Sequence, residues 1–151
     1  MMKSLKIAIL TTLTVFSFSA FGNSNMTIVE SNHDVATTAN KLVTVLESKG
    51  MKIFNQVDHA AGAESVGETL RPTTLVIFGN PKVGTKLMQC SQSMGLDLPL
   101  KMLIWQDAEE KVWLGYNDAS SLASRHAMSG CEGVVEKVNG ALMKFSTAAT
   151  Q

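Results

Sequence analysis

Residues 100–116 read LKMLIWQDAEEKVWLGY and contain two β-type runs around a short polar loop. Leu100–Gln106 and Lys111–Tyr116 are rich in the aliphatic and aromatic residues that favour strands, and Asp107–Glu110 has the polar composition of a turn. This pattern predicts a β-hairpin. A third apolar run, Thr73–Phe78 (TTLVIF), precedes a turn that contains Gly79, Asn80 and Pro81, and it predicts a third strand of the same sheet.

The other predicted elements are two strands and two long helices, with shorter helices between them. Asp34 is suited to cap a helix that begins near Val35 and ends before Gly50, and apolar residues recur in it at helical spacing. The order strand, helix, four strands, helix predicts an α+β domain with a largely antiparallel sheet and two long helices on one face. The remaining predicted segments are strands over 26–30 and 51–57, a helix over 82–92, a helix ending near Arg125, and a helix over 129–145.

The strongest strands do not alternate between apolar and polar residues, as strands with one solvated face normally do. We expect the apolar residues Val76, Phe78, Leu103, Trp105 and Trp113 to be too many to lie under the same two helices as their neighbours. A homodimer that buries the second face of the sheet is the first interpretation. The alternative is that residues 82–96 fold back over that face as a lid, which would enclose a pocket for a small molecule.

The amino terminus has the layout of a secretory signal peptide. Lys3 and Lys6 precede an uncharged apolar run over residues 7–18, and Ala20 and Gly22 are small residues suited to a cleavage site after Gly22. We predict that residues 1–22 are removed, that residues 23–151 form one domain, and that the protein is periplasmic or secreted. The alternative is an uncleaved amino-terminal anchor.

Composition excludes several classes of protein. The chain has 151 residues, of which 45% are hydrophobic and 17% charged, and its formal net charge is zero. This composition suits one domain with a hydrophobic core, and it is not that of a disordered chain. Removal of Lys3 and Lys6 with the signal peptide leaves a small acidic excess, so we expect no nucleic-acid partner. No later run is long and apolar enough to cross a bilayer, so we expect no stable membrane insertion after signal removal.

The sequence contains five short blocks: DHAA at 58–61, LRPT at 70–73, IFGNPKVGT at 77–85, DLPLK at 97–101 and LASRH at 122–126. In this order and spacing they resemble the domain of unknown function 302 family. The likeness extends over about residues 27–146, and it implies an α+β fold similar to that of the TATA-binding protein. It implies no reaction and no catalytic residues.

His59 and His126 are the first candidate functional residues. Neutral imidazole ligates metals and transfers protons near neutral pH, and Arg125 lies beside His126. The alternative is that both histidines are structural residues. His126 and Met128 offer the soft ligands that copper or haem accepts, although the chain has no CxxCH motif for covalent haem attachment. We predict no cofactor, and haem or copper is the alternative.

Three further positions carry candidate roles. Lys82 and Thr85 follow Gly79 in a segment that suits either a structural turn or a loop that binds an anion or small ligand. Asp97 is a candidate ligand-binding residue, and a simple turn is its alternative. Cys90 and Cys131 are the two cysteines of the chain, and an oxidising compartment favours a disulfide between them, with two buried thiols as the alternative.

These observations favour a non-enzymatic envelope domain that binds a small ligand or has a structural role, and that acts as a homodimer. The alternative is a haem- or copper-binding redox protein or enzyme that uses His59, Arg125 and His126.

Overall fold

A computed structural model describes residues 25–151 of the chain. The predicted cleavage site and signal peptide lie outside these residues. The described part has five strands and five α-helices, and a 3₁₀ turn over Gln92–Leu96 lies between α3 and β4. The strands are β1 (Met26–Ser31), β2 (Lys52–Asp58), β3 (Thr73–Gly79), β4 (Leu100–Gln106) and β5 (Val112–Asn117). The helices are α1 (Val35–Ser48), α2 (His59–Glu64), α3 (Pro81–Cys90), α4 (Ala119–Arg125) and α5 (Glu132–Thr150).

The five strands form one antiparallel sheet in the order β1-β5-β4-β3-β2. The domain is therefore α+β, as the sequence predicts. The hairpin of β4 and β5 lies near the centre, with Trp105 opposite Trp113. The first strand is the edge strand beside β5, where Met26 pairs with Asn117.

The long helices α1 and α5 pack together on one face of the sheet. Asp34 caps α1, because its side chain accepts a hydrogen bond from the Thr37 N–H at 2.7 Å. Leu42 and Leu46 of α1 are fully buried. The core between the helices and the sheet contains Val76, Phe78, Met102, Ile104, Val112, Leu114, Val138, Leu142 and Phe145.

The structure corrects the predicted composition of the second sheet face. Val76 and Phe78 are buried on the helix-bearing face, where the Phe78 ring makes an edge-to-face contact with Phe145. Their neighbours Leu75 and Ile77 point the other way, because successive side chains of a strand alternate between faces. The outer face therefore carries Leu75, Ile77, Leu103, Trp105 and Trp113, all half-buried.

The predicted lid over this outer face is also wrong. Residues 82–96 form most of α3 and the 3₁₀ turn, and α3 contacts α5 on the helix-bearing face. Leu87 and Met94 are buried in the main core, which fixes the segment there. The segment does border a cavity, but on the face of the sheet opposite to the one predicted.

Candidate functional site

A cavity of about 550 Å³ opens between α3 and α5. Helix α3 forms one wall through Val83, Leu87 and Met88, and Phe78 of β3 lies beneath it. Helix α5 forms the other wall. The lining also includes Met51 and Phe54 at the β2 end, Gly95, Leu98, Pro99 and Leu100 between the 3₁₀ turn and β4, and Val134, Val138, Ala141, Leu142 and Phe145 of α5.

The local sequence explains why α3 stands beside this cavity. The Asn80 side chain accepts a hydrogen bond from the Lys82 N–H at 2.9 Å, and Pro81 is the first helical residue, where a missing N–H costs nothing. Helix α3 therefore begins immediately after β3 ends. The segment 79–85, which resembled an anion-binding loop, is a capped helix start.

Apolar groups dominate the lining, and its charged members are all cations. Lys86 of α3 and Lys137 of α5 are the charged residues that line the cavity, and both are exposed. The polar lining residues Asn80 and Thr85 belong to the α3 wall. Thr85 is thus a predicted ligand-binding residue that lines the cavity, whereas Lys82 is not among the lining residues.

A polar cluster of four side chains lies at the carboxyl end of the 3₁₀ turn. Asp97 accepts hydrogen bonds from the Arg125 guanidinium at 3.0 and 3.1 Å, and its other contact is with Nε2 of His126 at 2.6 Å. The Nδ1 atom of His126 lies 2.9 Å from Ser93 Oγ. The predicted residues Asp97, Arg125 and His126 therefore meet in one place, although 28 residues separate Asp97 from Arg125 along the chain.

The cluster stabilises the charged form of Asp97. Partial burial raises the pKa of this carboxyl, but hydrogen bonds from His126 and Arg125 outweigh burial and hold the pKa below its usual value. The His126 side chain is 7% exposed, so the imidazole is almost enclosed. The arrangement fastens the 3₁₀ turn to the end of α4.

The order serine, histidine, aspartate is that of a hydrolase triad, but two contacts differ from such a site. Arg125 shares the Asp97 carboxylate that would otherwise support a protonated imidazole. Ser93 Oγ also lies 3.1 Å from Ser91 Oγ, so its hydroxyl has a second partner. We interpret the cluster as a structural clamp.

The disulfide between Cys90 and Cys131 joins the two walls of the cavity. Cys90 is the last residue of α3, and Cys131 is the N-cap of α5. Their Cα atoms are 6.3 Å apart. The disulfide and the polar cluster together attach residues 90–97 to the connection between α4 and α5.

His59 lies apart from these groups. It is the first residue of α2, directly after Asp58, whose side chain caps that helix by accepting from the Ala61 N–H. No contact within the described residues joins His59 to His126. The sequence pattern does not predict α2, and it indicates no role for Ser93 or Lys137.

The described residues 25–151 contain no group of three or more His, Cys, Asp or Glu side chains able to hold a metal ion. His126 and Met128 are the candidate soft ligands for copper or haem. Both ring nitrogens of His126 already have hydrogen-bond partners, and Met128 packs against the core.

Comparison with known proteins gives a family and a fold. A family model described as "Domain of unknown function DUF302" matches residues 27–145. The solved structure "Crystal structure of uncharacterized conserved protein DUF302 from Bacillus stearothermophilus" superimposes with a TM-score of 0.71, covering 83% of this chain and 94% of that chain. The sequences are 15% identical, so this likeness shows the fold alone.

Relatives with curated names are longer than the region that matches. "Fluoride-specific ion channel FluC 1" of Brucella suis biovar 1 (strain 1330) is 48% identical over 106 residues, which is 70% of this chain and 42% of that protein. "Fluoride-specific ion channel FluC 2" of Brucella melitensis biotype 1 (strain ATCC 23456 / CCUG 17765 / NCTC 10094 / 16M) has the same identity, over 39% of its length. The chain thus matches less than half of each relative. Among the helices formed by residues 25–151, none is long and apolar enough to cross a membrane.

Proposed function

We propose that this chain, which belongs to the DUF302 family, is a non-enzymatic domain that binds a small, largely apolar molecule between α3 and α5. The observation that carries the proposal is the apolar cavity of about 550 Å³. Small-molecule sites are mostly apolar clefts of roughly 300–1,000 Å³ with a few polar groups at defined places. This cavity has that size and that composition.

Exposed apolar side chains at the cavity support the same proposal. Phe54 is 46% exposed and Met88 is 37% exposed, although both are large and both line the cavity. A bound apolar molecule would remove part of their surface from water, which stabilises the complex by roughly 25 cal/mol per Å² of apolar area. Apolar burial therefore favours binding at the cavity over binding elsewhere on the surface.

The test uses N-phenyl-1-naphthylamine, an uncharged apolar dye whose fluorescence increases when it leaves water. We expect the purified domain to bind it at one site. Replacement of Ala141, a lining residue on α5, by tryptophan puts an indole ring into the cavity and should weaken dye binding strongly. The matched control is Ala148→Trp, on the same helix but at an exposed position away from the cavity. Equal dye binding by both variants would overturn the proposal.

A visible spectrum and a metal analysis separate this function from the alternative of a haem or copper protein. A binding domain for an apolar molecule is colourless and contains no stoichiometric metal. A haem or copper protein that uses His126 shows a visible absorption band, and that band disappears in a His126→Ala variant.

We further propose that the domain is a homodimer through the outer face of its sheet. Leu75, Leu103, Trp105 and Trp113 lie on this face and keep part of their surface exposed. Aromatic residues are enriched in protein interfaces, and two-fold symmetric dimers are the commonest oligomers of identical chains. Light scattering should give the mass of two chains, and Leu103→Glu should reduce it to that of one. A wild-type monomer would refute the dimer.

Export to the periplasm or the medium is a separate proposal. Intact-mass measurement of protein from the periplasmic fraction should show that the chain starts at Asn23, and retention of Met1 would refute cleavage.

The channel activity in the names of the Brucella proteins belongs to chains more than half of which lies outside the match. We propose that the matched region is the ligand-binding part of those proteins, and we propose no channel activity for this chain.

A further inference from the structure

We infer that the occupant of the cavity is an amphiphilic anion, with its apolar body inside the cavity and its charged head at Lys86 and Lys137. This inference rests on the proposed function, because it requires that the cavity binds a ligand. It adds the chemical class of that ligand.

The charges that line the cavity have one sign. Among residues 25–151, every charged residue that lines the cavity is a lysine, and no aspartate or glutamate lines it. The described part of the chain as a whole has no cationic excess, since the two signs are equally numerous in the full sequence and Lys3 and Lys6 precede residue 25. An all-cationic lining is therefore a local feature of the cavity.

The ammonium groups of Lys86 and Lys137 have no anionic partner in the described structure. The acidic side chains with ion-pair partners are Glu30, which pairs with Lys111, and Asp97, which pairs with Arg125 and His126. None of these three pairs includes a lysine of the cavity. Among residues 25–151, Lys86 and Lys137 thus form no ion pair, and both remain available to a ligand.

The two lysines lie on opposite walls of the cavity. Lys86 belongs to α3 and Lys137 to α5, so the two opposite walls each supply one cation. Both lysines are exposed, whereas Phe78 and Leu142 of the lining are buried. A long lysine side chain packs its methylene groups along apolar surface and keeps its ammonium group in water. The charge therefore lies at the mouth, and the apolar surface lies behind it.

This geometry matches a molecule with an apolar chain and an anionic head. A neutral apolar molecule would use the walls and leave both ammonium groups without a partner. A cationic amphiphile would place its head beside two like charges. An anionic head gains contacts with both lysines while its chain covers Phe54 and Met88.

The experiment compares three amphiphiles that share one chain and differ in the head: decanoate, decanol and decyltrimethylammonium, each below its micellar concentration. Affinity is measured by displacement of N-phenyl-1-naphthylamine and by calorimetry. We expect decanoate to bind more tightly than decanol, by up to about fivefold for each exposed ion pair that it forms, since such a pair supplies up to ~1 kcal/mol. We expect decyltrimethylammonium to bind most weakly. The preference for decanoate should decrease at high salt, because exposed charges are screened.

The lysines are tested by the double variant Lys86→Gln/Lys137→Gln. It should bind decanol as the wild type does and lose the preference for decanoate. The matched control is Lys82→Gln/Lys144→Gln, which removes the same charge from the same two helices at residues outside the lining. The control should keep the preference.

The outcomes separate this inference from the proposed function. If the dye binds but decanoate shows no advantage over decanol, or if the advantage survives in the Lys86/Lys137 variant, the anionic head is refuted and the apolar site stands. If neither the dye nor any of the three amphiphiles binds, both proposals are refuted. Acetate, which has the head without the chain, should show no measurable binding, and tight acetate binding would contradict the requirement for an apolar body.

Discussion

Removal of the disulfide between Cys90 and Cys131 should destabilise the domain strongly. The perturbation is the double variant Cys90→Ala/Cys131→Ala, which leaves no unpaired thiol. The two cysteines are 41 residues apart in sequence. In the chain-entropy treatment of cross-links, closing a loop of that length lowers the entropy of the unfolded chain enough to stabilise the folded state by about 4 kcal/mol.

A loss of this size is large for a single domain. Small domains unfold with free energies of about 5–15 kcal/mol, so the variant loses a large part of its stability. Both cysteines are only half-buried. The lost packing of two sulfur atoms therefore adds little, and the cross-link accounts for most of the effect.

The assay is urea unfolding at neutral pH, followed by far-ultraviolet circular dichroism. Wild-type protein treated with dithiothreitol should unfold at the same urea concentration as the variant, and dithiothreitol should not change the variant itself. A variant within about 1 kcal/mol of the oxidised wild type would refute the reasoning. So would a variant that remains sensitive to the reductant.

Three other predictions concern the polar cluster and the sheet. Asp97→Ala should lower the free energy of unfolding by about 1–3 kcal/mol at pH 7. Because the folded state lowers the pKa of Asp97, this contribution is present above the ordinary aspartate pKa of about 3.9 and is lost as the pH falls through the lowered value, which urea unfolding at pH 7 and pH 3 will show. Gly115→Ala should cost about 1–3 kcal/mol, because a Cβ there would lie 3.0 Å from the Trp105 ring, whereas Gly140→Ala in α5 meets nothing within 4 Å and should stabilise by about 0.5–1 kcal/mol in thermal unfolding. Ser93 should not react with a fluorophosphonate, as judged by intact mass, and stoichiometric labelling would contradict its interpretation as part of a structural clamp.

Local sequence patterns were sufficient for most of the fold. The hairpin of β4 and β5 and the Asp34 cap of α1 depend on residues close together in the chain, and both form as predicted. Helix α2 was missed because its six residues, HAAGAE, bury no side chain, so its sequence has no apolar periodicity to read. The local signals for it were the Asp58 cap and the helix propensity of its three alanines.

The site was less predictable because it depends on contacts between distant segments. Asp97 and His126 were separate candidates in the sequence, and only the packing of the 3₁₀ turn against the end of α4 joins them. The apolar face of α5 was also visible, through residues such as Val138 and Phe145. Periodicity shows that such a face is apolar, but it does not show whether a neighbouring helix fills the space opposite it.

Two tethers, the Cys90–Cys131 disulfide and the Asp97 cluster, restrict the movement of α3 and of the 3₁₀ turn relative to α5, whether or not a ligand is bound. The disulfide fixes the carboxyl end of α3 at the start of α5, and the Asp97 cluster fixes the turn that follows α3. A site held in this way loses little conformational freedom when a ligand enters, so more of the gain from burying the ligand appears as affinity. The tethers that stabilise the fold therefore also preorganise the proposed binding site.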